Sequence, residues 1–163
     1  MTGMIRLTLT LLAALAIGAS PAAAQHVTHA EVSSGGMFTS IAPAAGLYVD
    51  GAWAVLPTTS AVGEVQFGWN SAEMVGLGGV RQQFLRSSKG DIYGQLLFGV
   101  ATGYSPRCDL CQARVTELGV GANVALNDRW AVRVRADMRV GGGAADLPFP
   151  TLGAGITRTW GSR

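Results

Sequence analysis

The chain is poor in lysine. Lys89 is the only one among 163 residues, and every other basic side chain is an arginine. Histidine and cysteine are almost as scarce, with two of each: His26 and His29, Cys108 and Cys111. No strand-like segment carries a histidine, which argues against a serine–histidine hydrolase, because such chemistry needs the base beside its nucleophile. Twelve basic against ten acidic residues leave the charge near neutral and give no electrostatic reason for a nucleic-acid partner. Beyond Ala24 there is no apolar run of 18 residues, so no helix of the mature chain crosses a membrane. Nothing in these residues calls for a cofactor or a metal.

The opening has a pattern of its own. Met1 to Arg6 is short and weakly basic, Leu7 to Ile17 is apolar apart from its threonines, and Ser20-Pro21-Ala22-Ala23-Ala24 supplies a small-residue cleavage site. This order is that of a secretory signal peptide, with cleavage expected between Ala24 and Gln25. The apolar run is shorter than the roughly 20 residues a spanning helix requires. Residues 1–24 are thus read as the signal and 25–163 as a single domain.

The chain's 23 glycines, 21 of them within that domain, argue against helices, since each interior glycine costs about 1 kcal/mol relative to alanine. Alternation with a period of two takes their place. In the stretch RWAVRVRADMRV, Trp130, Val132, Val134, Ala136, Met138 and Val140 alternate with Arg129, Ala131, Arg133, Arg135, Asp137 and Arg139. A strand sends successive side chains to opposite faces, so one face is apolar and the other charged. Val115 to Leu126 repeats the device, and Asn127-Asp128 joins the two as a hairpin turn. Gly46–Val55, Val62–Asn70, Ile92–Thr102 and Thr151–Trp160 follow suit, while the glycine-rich Glu31–Phe38 and Met74–Phe84 are ambiguous in parity. The sum is eight strands in up-and-down order: an all-β, antiparallel barrel.

Two barrels fit, each the inverse of the other: a soluble lipocalin-like ligand binder with a polar outer wall, and a transmembrane barrel with an apolar outer band. Faces built from Val120, Ala122, Val124, Val132, Val134 and Ala136 are thin for a soluble core. Turned inward, Arg133, Arg135 and Arg139, with Asp137, would meet Glu31, Asp50, Glu64 and Glu117 of other strands. Arginine suits such a buried network better than lysine because its fork bonds a carboxylate through two N–H groups. Trp130 and Trp160 fall at one rim and Trp69 at the other, as in an aromatic girdle at the two membrane interfaces. Strands of about 9–11 residues also match the membrane thickness. The transmembrane barrel is therefore expected.

Cys108 and Cys111 lie in what reads as a loop, Ser105 to Gln112, where a local disulfide in an oxidising compartment is the expected state. A redox role for C-x-x-C would need a βαβ context, and a metal site two further ligands. His26 and His29 read as part of an N-terminal tail. Gly141 to Pro150 reads as the longest loop, with Leu147, Pro148 and Phe149 available for contact or for covering the barrel mouth.

The signal peptide, RWAVRVRADMRV, the tight LNDRW turn and the closing TLGAGITRTW together resemble the small outer-membrane β-barrel superfamily of Gram-negative bacteria, over Glu31 to Trp160. The resemblance implies residence in the outer membrane, contact with its lipid, and insertion by the barrel-assembly machinery, which reads a final strand ending in an aromatic residue. Here Gly161-Ser162-Arg163 follow Trp160, a departure from that ending, and Arg158 shares the outward phase of Trp160. The function implied is structural or surface-interacting, without catalysis; lipid-modifying barrel enzymes are the competing class. Intact-mass analysis of the exported protein should give a chain beginning at Gln25; a retained Met1 would remove the signal-peptide reading.

Overall fold

The computed structural model describes residues 29–39, 44–69, 73–105, 108–141 and 148–161, with the backbone alone at Ala44, 103–105, 108–111 and Phe149. Eight strands follow one another: β1 (Ala30–Thr39), β2 (Ala44–Leu56), β3 (Thr59–Gly68), β4 (Glu73–Ser87), β5 (Gly90–Ser105), β6 (Cys108–Ala125), β7 (Trp130–Gly141) and β8 (Phe149–Trp160). Each pairs antiparallel with its neighbours in sequence, and β1 pairs with β8 from Ala30↔Trp160 to Thr39↔Thr151, closing the barrel. Closure removes both sheet edges and leaves the strand ladder without a row of unpaired backbone groups.

The period-two pattern becomes inside and outside. On β7 Ala131, Arg133, Arg135, Asp137 and Arg139 are buried, while Trp130, Val134, Ala136, Met138 and Val140 are exposed. The outer wall carries Val32, Phe38, Leu47, Val49, Phe67, Val80, Phe98, Val120, Leu152 and Ile156, all exposed. The soluble alternative, with the arginines facing water, is not the arrangement adopted.

β4 and β5 explain why their sequence parity was blurred. Val75 and Leu77 of β4 and Leu97 and Ala101 of β5 point inward and form an apolar cluster with Ala52, Val62 and Val115. Apolar residues therefore occupy both faces here, with Leu96 and Phe98 flanking the buried Leu97.

At one end of the barrel the connections are tight. Pro57-Thr58 joins β2 to β3, Ser88-Lys89 joins β4 to β5, and residues 126–129 join β6 to β7. Asn127 Oδ1 accepts hydrogen bonds from the backbone N–H groups of Arg129 (2.9 Å) and Trp130 (3.0 Å), a side-chain turn of the kind asparagine favours. Gly90, at φ 146°, closes the β4–β5 turn where a Cβ would strike the Asn123 carbonyl. Bulges interrupt the ladders at Ala54/Leu56, Gln83/Leu85 and Gly103/Ser105, toward the barrel's rims as bulges commonly are.

The β5–β6 hairpin corrects one sequence expectation. The segment from Ser105 to Cys111 is mostly strand, not loop: Gly103 pairs with Cys111 and Ser105 with Cys108, so the ladder continues to the tip. Cys108 and Cys111 stand three residues apart on β6. In extended backbone that is a separation of about 10 Å, beyond the roughly 7 Å that a disulfide spans. The strand does not bring them within bridging distance, and their side chains lie outside the described residues. The signal segment, His26 and most of the Gly141–Pro150 loop also fall outside.

Inward-facing glycines make room for large side chains. A Cβ on Gly121 would run into the Tyr93 ring, and one on Gly119 into the Asp137 carboxylate. Outward-facing Gly63 has open space around it. Gly121→Ala should lower unfolding stability by about 1–3 kcal/mol, the usual cost of overpacking. Gly63→Ala should leave it unchanged or slightly raised. Urea titration of both variants in detergent micelles compares them, and equal midpoints would contradict the packing described.

Candidate functional site

A ladder of arginines runs through the barrel because β7 places one at every second position. Inside the barrel each needs a partner, since an unpaired charge in a low-dielectric interior costs several kcal/mol. The partners come from strands across the barrel.

Nearer the tight-turn end, Arg133 reaches Asp50 of β2 through Nη1, at 2.8 Å to both carboxylate oxygens. Its Nη2 donates to Glu31 of β1 at 2.6 Å, and its Nε to Asn123 Oδ1 at 2.9 Å. Arg81 of β4 approaches the same two acids from the opposite wall, pairing with Glu31 and, at 3.1 Å, with Asp50. Two arginines thus share two carboxylates, and all four are buried.

Nearer the other end, Arg135 donates to Glu64 of β3 (2.7 Å) and to Glu117 of β6 (2.6 Å), and also pairs with Asp137 on its own strand. Arg139 pairs with Glu117 at 3.2 Å and with Gln66, and lies 3.9 Å from the more exposed Glu73. Gln66 donates to Glu64 at 2.6 Å and to Glu117 at 3.2 Å. Gln95 joins the two groups, accepting from Arg81 at 3.0 Å and donating to Asp137 at 3.1 Å.

Tyrosines complete the filling. Arg81 and Arg133 lie 4.5 and 5.2 Å from the Tyr93 ring centre, and Arg135 lies 4.9 Å from that of Tyr48. The negative faces of these rings attract the guanidinium groups. Ser33 and Thr157 hydrogen bond at 2.8 Å across the β1–β8 closure.

All eight residues considered for the interior from sequence, Glu31, Asp50, Glu64, Glu117, Arg133, Arg135, Asp137 and Arg139, sit in this network. Arg81, Gln66, Gln95, Asn123, Tyr48 and Tyr93 join them without having been singled out. Charge counting held a signal for Arg81. Three arginines on β7 faced five strand carboxylates, and Arg81 was the nearest strand arginine left to help balance them.

The rims carry the tryptophans. Trp130 and Trp160 lie at the tight-turn end and Trp69 at the other, and Trp53, paired with Ala30, adds a fourth at the tight-turn end. His29 is buried at the mouth of that end, where a water-sized cavity of about 10 Å³ is lined by Glu31, Gln83, Arg86, Ser87, Asp91 and Thr159 as well. Among the described residues no cluster of three or more His, Cys, Asp or Glu side chains is arranged to hold a metal.

Among solved structures the chain is similar to the Neisserial surface protein A (TM-score 0.59, 9% identity, covering 80% of this chain and 96% of that one). It is similar also to Ail, the attachment invasion locus protein of Yersinia pestis, in complex with the heparin analogue sucrose octasulfate (TM-score 0.55, 11% identity, covering 82% and 99%). A third is a de novo designed transmembrane β-barrel (TM-score 0.56, 13% identity, covering 82% and 96%). At such identities the likeness is one of fold. No family model matches the chain, and no curated protein matches it in sequence.

Removing one charge from the network should expose the strength of the rest. Arg133→Met leaves Asp50 and Glu31 short of a partner and should destabilise the barrel by about 3–5 kcal/mol. Adding Asp50→Leu should restore part of that loss, because the orphaned carboxylate goes with it. Unfolding midpoints of the two variants in one detergent decide the matter; a double variant no more stable than Arg133→Met would contradict it.

Proposed function

We propose that this chain is a Gram-negative outer-membrane protein, exported by residues 1–24 and inserted by the barrel-assembly machinery. Its barrel is a sealed structural anchor, and its surface carries any recognition. The observation that carries this reading is the inverted wall. Arg133 is fully buried and doubly paired, while Val120, Leu152 and Phe98 stand 50% or more exposed on the outside. Such an exterior suits lipid and is costly in water.

Several features support the anchor. Eight strands leave an interior that side chains can fill, and here the arginines are bonded to carboxylates and amides rather than aimed at an open channel. The strands are 10–18 residues long, enough to span, and β5 and β6 are long enough to project beyond the membrane. The tight turns share one end with the start of β1 and the end of β8, and we assign that end to the periplasm; the other end would face outward. Recognition is then carried by the outward ends, above all the β5–β6 hairpin. Ail has been determined in a phospholipid bilayer nanodisc and with a heparin analogue, so a barrel of this shape accommodates both lipid and an external ligand. We read the protein as non-catalytic: among the described residues the buried charged groups are bonded mainly to one another across the barrel.

The folded protein should appear in the outer-membrane fraction and change mobility on detergent gels after boiling. In planar bilayers it should produce no steady porin-sized conductance. A soluble periplasmic protein with no mobility shift would overturn the membrane assignment, and large stable channels would overturn the sealed interior.

A further inference from the structure

One charged side chain breaks the rule of the outer wall. Arg158 of β8 is in the outward phase, exposed, between Thr157 and Thr159, whose side chains are buried. Its guanidinium lies 5.3 Å from the ring centre of Trp130 on β7, the Cα partner of Arg158, and 5.0 Å from that of Trp160, two residues on along the same face. No carboxylate pairs with it among the described residues, in contrast to the interior arginines. Both tryptophans are partly exposed, at 39% and 44%. The ring faces attract the guanidinium but consume none of its N–H donors, so the fork remains available to an oxyanion.

The surroundings say which oxyanion. This rim is where the apolar band ends and the tight turns begin. Lys89 and Arg129 are also exposed at this end, against Asp128 as the exposed acid of the neighbouring turn, while Arg86 lines the barrel mouth beside Asp91. The β4–β5 and β6–β7 turns are held together by the hydrogen bond from Ala125 N–H to the Lys89 carbonyl (2.9 Å). A basic rim at the level of interfacial tryptophans faces phospholipid headgroups.

We infer that Trp130, Arg158 and Trp160 form a clip for the phosphodiester of an anionic phospholipid in the leaflet next to the tight turns. The guanidinium donates to phosphate oxygens, as guanidinium forks do. The indole rings hold it in place and pack on the acyl-chain boundary. The clip rests on the membrane-spanning reading of the barrel.

Native mass spectrometry of the protein released from micelles containing equal amounts of phosphatidylglycerol and phosphatidylcholine, with matched chains, tests it. Wild-type protein should retain phosphatidylglycerol in excess. Arg158→Gln should lower that enrichment about five-fold, the effect expected of one basic residue at an anionic surface. Trp130→Leu should lower it as well, since the guanidinium loses a ring that orients it. Arg114→Gln, at an outward arginine on the opposite part of β6, serves as control and should not change it. These positions face outward, and heat-dependent gel mobility verifies that each variant is folded. Unchanged enrichment in Arg158→Gln, or an equal fall in Arg114→Gln, would overturn the clip in favour of unspecific annular lipid. Wild-type protein that neither retains lipid nor shifts mobility on heating would overturn the membrane reading itself, and the clip with it.

Discussion

The barrel depends on the pairing of buried guanidinium and carboxylate groups across its interior. A wall whose outer face is largely apolar carries its charges inside. An arginine at mid-membrane depth on the lipid face costs about 2–4 kcal/mol. The charges turn inward, and there they need partners with good geometry, because desolvation otherwise exceeds the attraction. Arg133, Arg135 and Arg139 from one strand meet acids from β1, β2, β3 and β6. The preference for arginine over lysine follows. One guanidinium bonds Asp50, Glu31 and Asn123 at once, and its planar, fixed donors suit a crowded site better than a mobile ammonium.

That crowding governs the small residues too. Gly121 and Gly119 on β6 are the Cα partners of Arg135 and Asp137 on β7. With no side chain opposite, Arg135 has space to cross toward Glu64, and Tyr93 has space to lie over Gly121. On β8, Gly153 and Gly155 border Arg135 and Tyr48 in the same way. The high glycine content is thus partly a packing device: glycine on the inner face is the complement of arginine and tyrosine. A sheet built this way also bends more easily into a narrow cylinder.

Much of this architecture was legible because a strand's side-chain period is two and the outer solvent is uniform. β7 and β6 declare their faces residue by residue, and the LNDRW turn marks their junction. Legibility failed where the inner face is itself apolar. Val75 and Leu77 point inward on β4, and with Gly76, Gly78 and Gly79 between and beyond them the strand shows no contrast between its faces. Arg81 was lost with that parity, although it holds both Glu31 and Asp50. Tyr48 and Tyr93 were legible as strand residues but not as ring partners of arginines, because such contacts join strands distant in sequence. The β5–β6 hairpin was shortened for another reason. Pro106 and the polar residues around it signal a turn, and local sequence does not tell how far a paired ladder continues toward the hairpin tip.

The long-range character of the network bears on how the barrel reaches a single register. Glu31 and Arg133 are 102 residues apart, and Asp50 and Arg133 are 83 apart. Strand pairing alone leaves register loosely specified where glycines alternate with small apolar residues, as on β6 and β8. A slip of one residue would send every inward side chain of a strand to the outer face. On β7 that would expose Arg133, Arg135, Asp137 and Arg139 together while burying Val134 and Met138 among carboxylates. A slip of two would keep the faces but move Arg133 away from Asp50 and toward the position of Arg135. The inner charges therefore penalise the first error through solvation and the second through geometry. Because their partners lie on β1, β2, β3, β4 and β6, the full set of bonds forms only when β1 has met β8. The network is thus less a local stabiliser of any one hairpin than a condition on the closed barrel as a whole.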